Sequence, residues 1–365
     1  MTKSRRIPNI TAIRFVLALL VVVFHISEFS RNRGFPFYNE LAVFHKGTEA
    51  VYAFFSLSGF LIIRQLFDEK RLTNLVDLKS FYIRRILRIF PLYYLVLIFG
   101  FLYYRLILPF FGFEFDSNYD LFSGILLSIT FFSNIFSTYS PGGILEVLWS
   151  IGIEEQFYLL IAPMFLIIPV KRVVLFLSLF TGVYFLMYFS ESLSFLNRFN
   201  MLFFYFSFGG ICSILLENSW AKIFIEKLRY FLFSLFVIYF TTAIFVNSFN
   251  AIFYQLFSFL LFGLTISALA IQPIRIFQNK TMNYLGKISY GVYMYHAIVM
   301  QLVGLVYLKL ISKMRFHYAF DVLIINLVII IITVIISHFS YKYYESFFLN
   351  LKEKWGAKRM INNKD

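Results

Sequence analysis

Runs of about twenty apolar residues, the length that crosses a bilayer, recur along almost the whole of this chain, and several carry charge. At ~1.5 Å per residue each run can span as an α-helix, with every backbone polar group satisfied internally. Of 365 residues, 60% are hydrophobic, 22% aromatic and 14% charged, and the mean hydropathy is +0.76. A soluble globular chain carries about 25% charged residues, so that class is excluded. The expected fold is an all-α polytopic membrane protein. The net charge of +14 is then no nucleic-acid signal, because basic residues flanking membrane spans report orientation. The lone Cys212 excludes an intramolecular disulfide and a cysteine metal cluster, and no metal site is expected.

Windows of about nineteen residues predict ten spans, near 10–29, 48–67, 89–108, 149–169, 172–190, 199–216, 230–247, 252–271, 285–308 and 321–341. One further apolar segment, 122–138, is ambiguous, with small and polar residues inside it and Pro141-Gly142-Gly143 after it. If the N-terminus is cytoplasmic and this segment does not cross, 24 Lys and Arg lie inside and eight outside, with Arg14 inside its span. If it crosses, the division becomes 14 inside and 18 outside. The positive-inside bias selects the first arrangement. Both termini are therefore expected in the cytoplasm, and 122–138 is expected to be re-entrant or interfacial, surrounded by protein or a water-filled cavity.

Lys3, Arg5 and Arg6 precede the apolar stretch Phe15–Phe24, as in a signal peptide, but no small-residue cleavage site follows. An uncleaved first span is expected. The domain reading is one transmembrane domain over 1–345 and a short basic tail over 346–365, with no separate soluble domain.

Three stretches hold the costliest residues. In the first span, Arg14 and His25 are eleven residues apart, within ~20° of three full helical turns, so they share a face. Glu28 follows one turn later. Ionisable residues inside a membrane usually face a bundle interior or a cavity. A histidine suits proton transfer near neutral pH; the bland alternative is an interfacial His at a span's end. The second stretch, Leu148–Tyr158, holds Trp149, Ser150, Glu154 and Glu155. The two carboxylates point ~100° apart and lie in the outer half of an inward-running span, at about the depth of His25, while Ser150 and Glu154 share a face. Its alternative is an anchoring Trp with solvated glutamates. The third is an inner loop with Arg84, Arg85 and Arg88, whose guanidinium forks suit phosphate. Basic residues beside a span can equally serve topology alone.

Two weaker signals remain. Ser56, Ser58 and Gly59 put small residues in the second span, as close helix packing requires. Ser289, Tyr293 and His296 form a polar stripe beside Tyr290 that lines a cavity or bonds across helices.

In order along the chain stand the Arg14–His25 spacing, FFSLSGFL (54–61), RRILRIFPLYY (84–94), LWSIGIEEQFYL (148–159), ISYGVYMYH (288–296) and YYESFF (343–348). With these motifs the chain resembles the acyltransferase-3 family of membrane O-acyltransferases that act on surface polysaccharides and related acceptors. The resemblance implies a membrane O-acyltransferase, most simply an O-acetyltransferase, in a bacterial plasma (inner) membrane. It implies acetyl-CoA or another acyl-CoA as donor substrate, with no permanently bound cofactor, and a hydroxyl of a glycan or glycolipid as acceptor. His25 would be the general base or a transient acyl carrier, supported by Arg14, with Glu154 or Glu155 as its partner. Arg84, Arg85 and Arg88 would bind CoA phosphates. Glu28, Trp149, Ser150, Ser289, Tyr290 and His296 would line the cavity or meet substrate. Envelope-glycan assembly proteins are implied partners, nucleic acid is not. The competing class is a transporter or flippase of an anionic glycan or lipid, although no internal repeat supports it.

Overall fold

A computed structural model describes residues 7, 9–115, 117–308 and 318–357, the last six as backbone. The described residues are helical, with no strand. Eight helices are long and apolar enough to cross a membrane, among them Ile10–Arg33, Gly47–Thr73, Leu78–Phe110, Gly143–Ile167 and Ser289–Val306. A ninth is reached if Glu191–Arg198 and Phe203–Leu215, bent by 79°, count as one span. The ten predicted windows each meet a helix, but two of them are compromised. The window near 199–216 falls on that bend. The one near 230–247 falls on Ser219–Thr241, whose first turns carry Lys222, Glu226, Lys227 and Arg229 and leave only about twelve apolar residues. Twelve residues reach ~18 Å, short of the ~30 Å hydrocarbon core.

The helices group into two compact units, residues 1–76 with 160–289, and residues 77–159 with 290–365. In the first unit, helix Ile10–Arg33 contains neither Gly nor Pro. It ends at Gly34 (φ +68°), whose N–H returns to Arg31 O while Phe35 N–H returns to Ser30 O, a glycine-capped terminus. At its start Asn9 stands at φ +59°, a left-handed conformation that Asn tolerates. The Asn9 amide donates to Leu269 O and Gln272 O, both at 2.7 Å, and its oxygen accepts from Ile274 N and Gln278 Nε2. All four capacities of this buried side chain are used.

Helices Gly47–Thr73 and Phe203–Leu215 cross at backbone contact. A Cβ on Gly59 would stand 1.9 Å from Phe206 O, and one on Gly209 2.1 Å from Ser56 O. The small residues of the second span therefore do packing work, as expected for helices that associate without a hydrophobic driving force. Several cations of the charge count are also tied into structure. Arg64 donates to Ser213 O and pairs with Glu217, and buried Lys70 donates to the carbonyls of Phe165 and Ile168 at a helix C-terminus.

In the second unit, helix Leu78–Leu102 starts at an Asp77 cap that accepts from Ser80 N–H, and contains Pro91. Its predicted start was near residue 89, so Arg84, Arg85 and Arg88 lie in its early turns rather than in a loop. The segment 122–138 folds as short helices, Leu121–Ile129 and Ser133–Phe136, and the longer spans ~13 Å, too little to cross. Tyr93 and Tyr94 donate to Ser128 O and Ile129 O. Gln156 donates to Phe131 O and Asn134 Oδ1, both at 2.8 Å. Irregular backbone among apolar helices needs such partners. The charges at Lys3, Arg5, Arg6, Lys309, Lys313 and Arg315 and the tail beyond 357 lie outside the described residues.

Candidate functional site

The candidate residues fall into both units. On helix Ile10–Arg33, in the first unit, Arg14 and His25 are half-buried, ~16 Å apart along the axis. His25 Nδ1 lies 3.1 Å from Val21 O. A carbonyl only accepts, so Nδ1 carries the proton and Nε2 is the basic nitrogen of the neutral ring. The Phe24 ring stands edge-on to the imidazole at 5.0 Å. Glu28 has a different setting: it pairs with Arg31 at 2.6 Å, and both side chains are substantially solvent-exposed. Ser289 Oγ, at the other end of this unit's sequence, bonds back to Gly286 O.

Sequence reasoning counted Lys46 merely as an outer charge. It is 3% exposed, pairs with Glu49 at 3.3 Å, donates to Tyr254 Oη at 2.6 Å, and lies over the Tyr239 and Tyr254 rings. Tyr254 in turn donates to Glu49. The tyrosine partners lie some two hundred residues away in sequence, so no local pattern could reveal them.

In the second unit the stretch 148–159 divides its residues among distinct tasks. Ser150 Oγ is 2.7 Å from Tyr293 Oη, which also donates to Val147 O. A Cβ at Gly152 would meet Ser133 Oγ at 2.6 Å and Phe131 O at 2.7 Å, so this position lets the short-helix segment approach. Glu154 accepts from Tyr158 Oη one turn on. Glu155 is 6% exposed, and its Oε1 accepts no hydrogen bond from a described residue. Trp149 stands half-buried at the helix start.

Arg85 interacts electrostatically with both Glu154 and Glu155, and its guanidinium lies 5.9 Å from the ring centres of Phe81 and Tyr158. The expected separation of the arginines from the two carboxylates thus fails for Arg85. The reason is the early start of helix Leu78–Leu102, which carries the arginines into the bundle, where carboxylates can compensate them. Arg88 interacts with Glu345, a buried residue of the closing YYESFF stretch that sequence reasoning left without a role. Tyr290 feels Glu345, Glu154, Glu155 and Arg88, and its hydroxyl donates to Ile89 O. The polar stripe bonds to protein: Tyr293 as above, and fully buried His296 through Nδ1 to Tyr293 O. The structure therefore joins Arg85, Arg88, Glu154, Glu155, Tyr290 and Glu345 into one polar cluster.

Comparison with known proteins agrees with this motif set. A family model described as an acyltransferase domain matches residues 7–342. The chain belongs to the acyltransferase-3 family. A protein of Acidianus two-tailed virus, provisionally named an acetyltransferase, is 26% identical over 277 residues, 73% of this chain and 77% of its own length. The peptidoglycan O-acetyltransferase of Listeria monocytogenes is 29% identical over 176 residues, 46% of this chain. A Bacillus subtilis protein provisionally named a peptidoglycan O-acetyltransferase is 28% identical over 173 residues, 45% of this chain. The chain spans about a quarter of the length of these two bacterial relatives. No solved structure matches it. As a member of the acyltransferase-3 family the chain is a multi-pass membrane acyltransferase, of the kind that transfers groups other than amino-acyl groups.

Proposed function

We propose that this acyltransferase-3 member moves an acyl group, most simply acetyl, from cytoplasmic acyl-CoA to a hydroxyl of a cell-surface or lipid-linked glycan. The observation that carries this reading is the family match over 7–342, with relatives named as O-acetyltransferases. Two of those are named for peptidoglycan, which supports a glycan acceptor. The setting is a bacterial plasma membrane with both chain termini cytoplasmic, supported by the charge division of 24 inside to eight outside.

In the reaction the acceptor hydroxyl oxygen attacks the thioester carbonyl, its proton passes to His25 Nε2, and the carbon–sulfur bond breaks. The proton then goes to the departing thiolate, leaving an ester and free CoA. The Val21 carbonyl suits His25 to this role, because it holds the proton on Nδ1 and presents Nε2 as the base. If His25 instead carries the acyl group transiently, the same nitrogen is the nucleophile. Arg14 orients the donor from the same helix face. Donor phosphates bind Arg84 and Arg88, while Arg85, engaged by two carboxylates and two rings, mainly positions Glu155.

The test supplies labelled acetyl-CoA to membranes containing the wild-type chain or His25→Ala, at equal protein levels, and measures ester label in the glycan fraction. The proposal expects label with wild type alone. Equal label from both, or movement of a glycan across the membrane with no covalent change, contradicts it.

A further inference from the structure

Helix Leu78–Leu102 carries a groove of about 640 Å³ on its face around Pro91, walled by Phe90, Tyr94 and Tyr344. That size lies within the ~300–1,000 Å³ of ligand clefts. Two hydroxyls reach it, and both are spent on backbone: Tyr94 on Ile129 O and Tyr344 on Pro91 O, each at 2.9 Å. What the groove offers is therefore ring faces and aliphatic surface. Ile98, 60% exposed, and Leu102, 45% exposed, leave its side open. From Phe90 to Leu102 it runs twelve residues, ~18 Å, comparable to the ~15 Å hydrocarbon depth of one leaflet.

The groove has a charged end. At ~100° per residue, Pro91, Leu95, Ile98 and Leu102 lie within ~40° of the direction of Arg84, and Arg88 lies within the same arc. One helix face thus presents two guanidinium-bearing positions and then, within one turn (~5 Å), an apolar channel. Glu345 acts on Arg88, while Glu154 and Glu155 act on Arg85, about 100° round the helix from Arg84. A molecule matched to this face has an anion joined almost directly to a hydrocarbon chain. Acyl-CoA does not, because its long polar arm separates the phosphates from the acyl group.

We propose that this face binds an anionic phospholipid, its phosphate on Arg84 and Arg88 and one acyl chain along Pro91, Leu95, Ile98 and Leu102. The lipid site goes beyond the donor reading and does not rest on it. Arg84 and Arg88 hold one phosphate at a time, a lipid's or the donor's.

The test is native mass spectrometry of the purified full chain with phosphatidylglycerol or phosphatidylcholine of identical chains, without acyl-CoA. Its result stands or falls whether or not acyl transfer is observed. Wild type should retain phosphatidylglycerol in preference to phosphatidylcholine, and inorganic phosphate at equal concentration should not displace it. Arg84→Gln/Arg88→Gln should lose that preference, with retention reduced roughly tenfold or more. Ile98→Trp, which fills the groove from an exposed position, should reduce retention similarly, and Leu102→Trp provides a second blocking variant if the first fails to fold. Leu179→Trp, on an exposed apolar face of the other unit, should leave retention unchanged. Equal retention of the two lipids, or unaltered retention in both groove-filling variants, overturns the proposal.

Discussion

His25 concentrates the chemistry into one ring whose tautomer is set by a bond within its own helix. His25→Gln preserves bulk and polarity but removes the base, so transfer should fall by about two orders of magnitude or more. Protein yield should stay the same, as read by quantitative blotting beside the activity assay. Glu28 was grouped with His25 by spacing alone, yet its exposed pair with Arg31 contributes about 0.5 kcal/mol or less. Glu28→Gln should leave activity near wild type, and a loss beyond about threefold would restore it to the site. Asn9 shows the opposite pattern, invisible to spacing and central to structure. Asn9→Leu orphans the Leu269 and Gln272 carbonyls and the Ile274 N–H, at about 1–3 kcal/mol for each group left buried and unpaired. A thermal-unfolding midpoint in detergent well below that of wild type checks this.

At the scale of elements, eight of the ten expected spans coincide with helices long and apolar enough to cross, because lipid demands long apolar runs whatever their tertiary partners. The early start of helix Leu78–Leu102 is hidden in the sequence for a physical reason: its arginines imitate a solvated loop when the carboxylates that act on Arg85 and Arg88 lie in other helices. Lys46 was opaque for the same reason, its tyrosine partners being distant in sequence. The small residues on the Gly59 side of the Gly59–Gly209 crossing, by contrast, are visible in the sequence, while the partner helix is not. Gly59→Leu forces a side chain against Phe206 backbone and should cost at least about 3 kcal/mol, seen as loss of monodisperse protein during purification. Gln156→Leu should release the 121–139 segment by removing the donor to Phe131 O and Asn134 Oδ1. Faster amide exchange over those residues, with helix Leu78–Leu102 still protected, is the expected result; uniform protection would contradict the assigned role.

For the whole molecule, the class and the family could be read from composition and motif order, because both are distributed along the chain. The site could be read only in part. Motifs named the residues, but only the structure revealed that Arg85, Arg88, Glu154, Glu155, Tyr290 and Glu345 gather in one unit, and that the polar stripe at Tyr293 and His296 is bonded to protein. Orientation has its own check. Cys212, the lone cysteine, is buried, so labelling at introduced cysteines is read against a quiet background. Leu75→Cys should react with a membrane-impermeant thiol reagent only from the cytoplasmic side and Asn118→Cys only from the outer side; the reverse pattern would invert the topology.

The central claim, acyl transfer through His25 to an envelope hydroxyl, is met most directly by mass spectrometry of the surface glycan from cells carrying wild-type or His25→Ala protein at equal abundance. The account predicts an ester-linked acyl group on the glycan with wild type and its absence with His25→Ala. Identical acylation in both would contradict it.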